Sequence, residues 1–418
     1  MYRTSVVVIG AGQAGLAVSR LLSAAGADHI VLDKGRTASR WDSHTWQSLR
    51  LLTPNWMSRL PDHSYRGPDP AGFMRAAEVA SYLRCYAALS AAPVIEGAET
   101  LSVRRSDIGY RVATTAGTWT ATSVVLATGW CDLPDVPDMA SRLDSRISQL
   151  TPETYRAPEP LPAGGVLVVG ASATGVQLAD ELAAAGRQVA LAVGSHSRVP
   201  RTYRGLDICW WLDVMGIFAR TLDEHPRPAV AWREPSLQLS GRLGGRNVDL
   251  SALQARGVTL AGRLTDVDGR RVRLAEDLAV TTRAADERLR GLLRRIDAFA
   301  ERTGIAAEAD HAEPIREARV TGSLAEVDLV RAGIRVIIWA TGYRRAYPWL
   351  HVPVLDEAGD VRHVNGTTAS PGLHVVGMRW QTRRSSTFLD GVRHDAAMVV
   401  SRILADLHRP ATSVRSAA

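Results

Sequence analysis

Ser5-Val6-Val7-Val8-Ile9-Gly10-Ala11-Gly12-Gln13-Ala14-Gly15 is the stretch whose reading decides the fold. A continuous β-branched run of this kind reads as a strand buried on both faces. It passes straight into a glycine turn, then into a helical pattern (Leu16, Leu21, Leu22) that stops at Gly26. A second strand, His29 to Leu32, delivers Asp33, which lies 23 residues after Gly10. Strand, glycine turn, helix, strand and acid make one dinucleotide-binding unit. Gly10 permits the tight turn, Gly12 lets the backbone approach a pyrophosphate, and Gly15 seats the helix close to its strand. Gln13 and Ala14 complete the turn, and the helix N-terminus receives the phosphates. Asp33, followed by Lys34, offers its carboxylate to a ribose hydroxyl.

The plan returns at Gly165–Val169, followed by Gly170-Ala171-Ser172-Ala173-Thr174-Gly175, a helix from Val176 to Ala185 and a strand from Gln188 to Val193. The glycine turns start 160 residues apart, and the second keeps the first and last glycines with Ser172 at the middle position, so two dinucleotide sites are expected. At the acid position of the second unit stands Gly194-Ser195-His196-Ser197-Arg198. A carboxylate there would repel a 2′-phosphate, whereas Ser195 and Arg198 can bind one, which predicts NADPH at this site. The alternative is that Arg198 is a solvated loop residue.

Two further buried strands end alike. Val124–Leu126 leads to Ala127-Thr128-Gly129, and Val336–Trp339 leads to Ala340-Thr341-Gly342. A small residue and a glycine let the chain turn away close to a nucleotide, and the repetition suggests matched halves. Pro371 to Gly377 reads as turn, strand and glycine. A loop carrying Arg383 and Arg384 then leads to Gly391 and a helix from Arg393 to Leu407, whose first N–H groups could face an electron-rich ring carbonyl. The two arginines read as solvated or salt-bridged sooner than as contacts to an acidic substrate. Arg201 to Gly245, with Trp210-Trp211, reads equally as the wall of a substrate pocket or as irregular packing. Asp286 to Thr303 spaces its leucines as a helical packing face.

Composition narrows the classes. The chain has 418 residues, enough for two or three domains, and is 46% apolar and 22% charged, as expected of a globular protein. Cys85, Cys131 and Cys209 are far apart with no CxxC, which excludes a zinc ribbon, a disulfide framework and a dithiol active site. The net charge is +7, but the arginines are scattered, so nucleic acid is not an expected partner. No apolar run is long enough to span a membrane. The apolar N-terminus reads as a strand rather than a signal peptide, and a cytoplasmic location is expected. No metal site or catalytic triad is expected.

Taken together, these motifs resemble the class B flavoprotein monooxygenases across nearly the whole chain. The order of parts matches: first glycine turn, first Ala-Thr-Gly, second glycine turn, second Ala-Thr-Gly. The segment from Arg40-Trp41 through Gln47 to Thr53-Pro54 is similar to that family's flavin-contacting stretch. Its linker fingerprint, FxGxxxHxxx(Y/W), is not kept between Met139 and Tyr155, where only the tyrosine fits. The resemblance implies an α/β fold with two Rossmann-like domains. An FAD domain (1–156 and 334–418) would be split by an inserted NADPH domain (157–333). It places Gly377 and Gly391 beside the flavin and Asn55 near the reacting ring, although an asparagine after proline is also a common turn residue.

The implied chemistry is hydride transfer from NADPH to flavin, capture of O2 as a C4a-(hydro)peroxide, and transfer of one oxygen atom to a small organic substrate. N- or S-oxygenation, hydroxylation and Baeyer–Villiger insertion all fit, and a homodimer is left open. The competing reading is an NADPH-dependent flavoprotein reductase without oxygen transfer. A non-catalytic nucleotide sensor is a third.

Overall fold

The computed structural model describes residues 1–241, 245–305, 316–320 and 325–408. The first half runs β1 (Tyr2–Ile9), α1 (Gln13–Ala24), β2 (His29–Leu32), α2 (Ala76–Leu89), β3 (Val94–Ile95), β4 (Thr100–Ser106), β5 (Gly109–Thr114) and β6 (Gly117–Leu126). Next come β7 (Leu133–Pro134), β8 (Ser148–Leu150), β9 (Gly165–Val169), α3 (Ala173–Ala184), β10 (Val189–Ala192), α4 (Ile208–Val214) and β11 (Thr259–Ala261). The chain continues through β12 (Leu264–Asp268), β13 (Arg271–Leu274), α5 (Leu278–Thr303), β14 (Glu326–Asp328) and β15 (Ile334–Trp339). It closes with β16 (Tyr343–Arg344), β17 (Leu373–Val375) and α6 (Val392–Leu407).

Two separate sheets organise these elements. The first has the order β3-β2-β1-β6-β5-β4, with β17 also on β6. Its β1, β2, β3, β6 and β17 are parallel, while β4, β5 and β6 form an antiparallel meander. The second sheet, β8-β15-β9-β10-β11, is parallel throughout. This is an α/β fold built on parallel sheets.

The unbroken apolar runs have a direct cause. Val6 and Val8 of β1 pack into one core with α1, α2 and α6, while Val7 and Ile9 point the other way, into a core with the meander. In β9, Val166 and Val168 face the core that holds α3, and Leu167 and Val169 face the layer of β12 and β13. Period-two alternation makes every side chain of such a strand apolar when both faces are covered. The leucine face of α5 packs on Ile208, Trp211 and Leu212 of α4, as its helical spacing predicts.

The sheet order moves the expected domain boundaries. β8 lies within residues 1–156, and β15 opens the stretch 334–418, yet both strands belong to the second sheet. Apolar strand sequence does not reveal which sheet a strand joins. The two passages between the sheets come together, because β7 follows the first Ala-Thr-Gly, β16 follows the second, and they pair antiparallel (Tyr343 with Pro134, Arg344 with Leu133).

Candidate active site: two glycine turns and the loops around them

Each glycine turn sits at the carboxyl end of a parallel strand, where open α/β sheets bind ligands. A Cβ on Gly10 would fall 2.4 Å from the Ala127 carbonyl oxygen, and one on Gly15 only 1.8 Å from the Gly10 oxygen. Around Gly12, by contrast, a Cβ would meet nothing within 4 Å. Two glycines therefore let the chain pack, and the third leaves open space before the α1 N-terminus, which carries no side-chain cap. Asp33 closes the turn: its Oδ2 accepts from Ala11 N–H at 2.6 Å and its Oδ1 from Gly35 N–H at 2.8 Å. Lys34 is exposed, with Asp132 at 3.9 Å.

The second turn repeats these contacts. A Cβ on Gly170 would fall 2.4 Å from the Ala340 oxygen, and one on Gly175 1.8 Å from the Gly170 oxygen. Ser172, Ala173 and Thr174 start α3, again without a side-chain cap. Ala127 N–H donates to Ile9 O at 2.8 Å and Ala340 N–H to Val169 O at 2.9 Å, so each Ala-Thr-Gly lies against its own glycine strand. Gly129 and Gly342 both have positive φ (85° and 108°) and open surroundings. Thr128 is half-buried, and Thr341 Oγ1 donates to Asp135 O at 2.5 Å. The space at Gly12 and the uncapped helix starts of both turns fit a dinucleotide pyrophosphate.

At the acid position the structure corrects the sequence. Arg198 is buried and bonded by Nη1 to Asp286 Oδ1 at 2.6 Å and by Nη2 to Asp249 Oδ2 at 2.5 Å. It is therefore a core ion-pair residue and not a phosphate ligand, because a buried guanidinium must be paired. Ser195 does remain at the strand end. Its neighbour is Arg263, whose Nη2 lies 3.3 Å from Ser195 Oγ and whose guanidinium carbon would sit 3.6 Å from a Cβ on Gly194. Arg263 follows β11, 68 residues away in sequence, so no local motif reveals it.

The expected flavin-contacting stretch divides. Arg40 is ion-paired to Glu153 and donates to Asp132 O at 2.9 Å, Trp41 packs on the first core, and Gln47 is exposed. Thr53 is half-buried. Asn55 takes a different part from the one expected. Its Nδ2 donates to Asp69 O at 2.9 Å, and its Oδ1 accepts from Met74 N–H at 2.7 Å. Buried with both amide atoms engaged, it holds the 69–74 loop, which is the turn-asparagine alternative.

The C-terminal loop reaches the first turn. A Cβ on Gly377 would lie 3.0 Å from Ala14 Cβ, and Gln13 Nε2 donates to Thr387 O at 2.8 Å. Gly391 caps α6, packed so closely that a Cβ would sit 1.8 Å from the Ser385 oxygen. The tryptophan-rich segment covers this loop. Arg384 N–H donates to Arg220 O at 2.9 Å, Ser385 N–H to Phe218 O at 3.1 Å, and Trp380 Nε1 to Ala231 O at 3.1 Å. Residues 242–244 of that segment lie outside the described residues.

Residues 7–204, which span the first turn, the first Ala-Thr-Gly and the second turn, match the pyridine nucleotide-disulphide oxidoreductase family. The chain is 29% identical over 403 residues to a CzcO-like oxidoreductase of Geobacillus kaustophilus, covering 96% of this chain and 98% of that one. A solved flavin-containing monooxygenase from Stenotrophomonas maltophilia shares the fold, with a TM-score of 0.66 and 20% identity over 97% of this chain and all of that one. The chain is thus similar in sequence to pyridine nucleotide oxidoreductases and similar in fold to a flavin-containing monooxygenase. Over about half its length the chain is also 30% identical to the indole-3-pyruvate monooxygenase YUCCA8 of Oryza sativa, covering 48% of this chain and 50% of that one. FAD and NADPH are the cofactors this architecture serves. Among the described residues, no helix is long and apolar enough to cross a membrane.

Proposed function

We propose that the chain is an NADPH-dependent FAD monooxygenase that transfers one oxygen atom of O2 to a small organic substrate. One observation carries this reading: two glycine turns of the same geometry, each braced by its own Ala-Thr-Gly carbonyl, joined by the β7–β16 pairing. FAD would be held by Gly10–Gly15, Asp33, Ala127–Gly129 and the loop from Gly377 to Gly391. NADPH would be held by Gly170–Gly175, Ala340–Gly342 and Ser195, with Arg263 at the 2′-phosphate in place of Arg198. Together the two cofactors supply hydride transfer to the flavin and activation of O2 by the reduced ring.

The chain's own contribution is binding, orientation and shielding. The α1 and α3 N-termini present unpaired N–H groups to phosphate, which the helix dipole reinforces. Asp33 has both oxygens anchored by backbone N–H groups, which fixes its carboxylate for a ribose hydroxyl. The 218–234 segment lies over the 377–391 loop and limits water there.

Oxygen transfer is favoured over disulfide reduction because the sequence has no CxxC. The buried Cys209 thiol is also pushed up to about 12 by burial, so it supplies no thiolate at neutral pH. The test is turnover under isotopically labelled O2 with NADPH and a panel of amines, sulfides and ketones. Label in a product supports the monooxygenase. Release of hydrogen peroxide alone, or rapid reduction of a quinone or ferredoxin with no labelled product, would support the reductase.

A further inference from the structure

Period-two alternation divides the side chains of β10. Val189 and Leu191 join the core that holds α3, while Ala190 and Ala192 face the layer formed by β12, β13 and β14, as does Ala261 of β11. Facing sheets stand roughly 10 Å apart, a gap that long side chains span and alanines do not. The shortfall leaves a cavity of about 160 Å³ between the two layers. Protein interiors hold few voids larger than a water molecule, and an empty one costs stability in proportion to its volume.

The cavity has an apolar interior and a polar mouth. Leu167 of β9, Val272 and Leu274 of β13, and Ile334 of β15 line it, and all four are buried. Gln188 and Thr259, which also line it, are exposed and mark where it opens. Among the described residues, no ionisable side chain lines it. An ion placed there would lose its hydration with nothing to replace it. Its place in the sheet also sets it apart from the glycine turns. Gln188 to Ala190 and Ile334 belong to the amino ends of β10 and β15, whereas both turns lie at the carboxyl ends of their strands.

We propose that this cavity is a binding site for a small uncharged ring, the size of benzene or phenol, separate from both dinucleotide seats. A cavity of about 150 Å³ lined by leucine, isoleucine and phenylalanine stays dry and takes up benzene. The one between these layers is of the same size and equally apolar within. A single hydroxyl on the ring could meet Gln188 or Thr259 at the mouth. Binding there does not depend on the reaction at the flavin.

The FAD-loaded protein is titrated with fluorobenzene and with 4-fluorobenzoate, each followed by fluorine NMR, and benzene and phenol are added as competitors. Fluorobenzene is expected to bind at least about tenfold more tightly than the charged ring and to be displaced by both competitors. Ala190→Leu and Ala332→Leu fill the cavity from two different walls. Each is expected to weaken fluorobenzene binding at least about tenfold, with a thermal midpoint that holds or rises because the added carbons occupy empty space. FAD content and the rate of flavin bleaching by NADPH should stay as in the unaltered chain, which excludes misfolding and ring uptake beside the flavin as the cause. In crystals pressurised with xenon, a xenon atom should lie among Leu167, Val272 and Ile334. The proposal is overturned if 4-fluorobenzoate binds as well as fluorobenzene, if a folded leucine variant keeps the full affinity, or if xenon leaves the cavity empty.

Discussion

The two glycine turns are near copies in backbone and opposites in charge. A Cβ on Gly10 or Gly170 would lie the same 2.4 Å from the Ala127 or Ala340 oxygen, and one on Gly15 or Gly175 the same 1.8 Å from the oxygen of its own first glycine. Beyond that the halves diverge. The first ends its second strand on Asp33, bonded back to Ala11 and Gly35, while the second ends on Gly194-Ser195 with Arg263 alongside. On the proposed reading, the glycine geometry would make a general pyrophosphate seat, and the residue at the next strand end would determine which ribose it accepts.

The sharpest way to break this comparison is to fill the seats one at a time. Gly15→Ala forces a Cβ into a backbone oxygen, as does Gly175→Ala, and neither backbone can yield cheaply. Gly15→Ala is expected to yield protein without yellow flavin absorbance. Gly175→Ala should stay yellow yet lose more than a hundredfold in the rate of flavin bleaching by NADPH. Equal loss of flavin in both variants would mean that the halves are not separate seats.

Arg198→Met sharpens the second half. Removing the guanidinium leaves Asp249 and Asp286 buried without a counter-ion, at a cost of about 3–5 kcal/mol. The expected result is a large fall in the thermal midpoint with the NADPH-to-NADH preference unchanged. A selective loss of NADPH affinity at unchanged stability would restore Arg198 as a phosphate ligand.

A pH effect is expected in the first sheet. His374 on β17 is buried, among the described residues neither ring nitrogen has a hydrogen-bond partner, and burial lowers it to about 4. A base held neutral in the fold contributes stability that is fully present above pH ~6.5 and is lost as pH falls toward 4. The shift corresponds to a contribution on the order of 3 kcal/mol. Denaturant unfolding at steps between pH 7 and 4 should show a shallower decline for His374→Phe than for the unaltered chain. Parallel declines would remove His374 as the cause.

The smallest expected effect belongs to Arg263. Arg263→Gln should lower affinity for 2′,5′-ADP about tenfold, roughly 1.4 kcal/mol, and leave 5′-AMP unaffected. Equal binding of 2′,5′-ADP before and after the change would place the 2′-phosphate elsewhere.

The sequence is most legible where contacts are local. Gly165–Val169 and His29–Leu32 form strands at the expected residues, and the helices after both glycine turns end within a residue or two of Gly26 and Gly186. It is least legible where a distant residue decides the outcome. Arg198 looks like a ligand until Asp249 and Asp286 arrive from 51 and 88 positions away. Asn55 looks free until the Asp69–Met74 loop folds onto its amide. Pairing partners alone place β8 and β15 in the second sheet, and nothing in Ile334–Trp339 distinguishes it from Gly117–Leu126 in that respect.

The short pairing of β7 with β16 has a mechanical consequence. Both strands of chain that leave one sheet for the other are laced at a single point by two residues apiece, Leu133–Pro134 and Tyr343–Arg344. Two straps fastened at one spot act as a pivot, so swinging of one half against the other is restricted to axes through that lacing. The residues directly upstream are Ala127–Gly129 and Ala340–Gly342, which places both seats next to the fulcrum, where a given rotation moves them least.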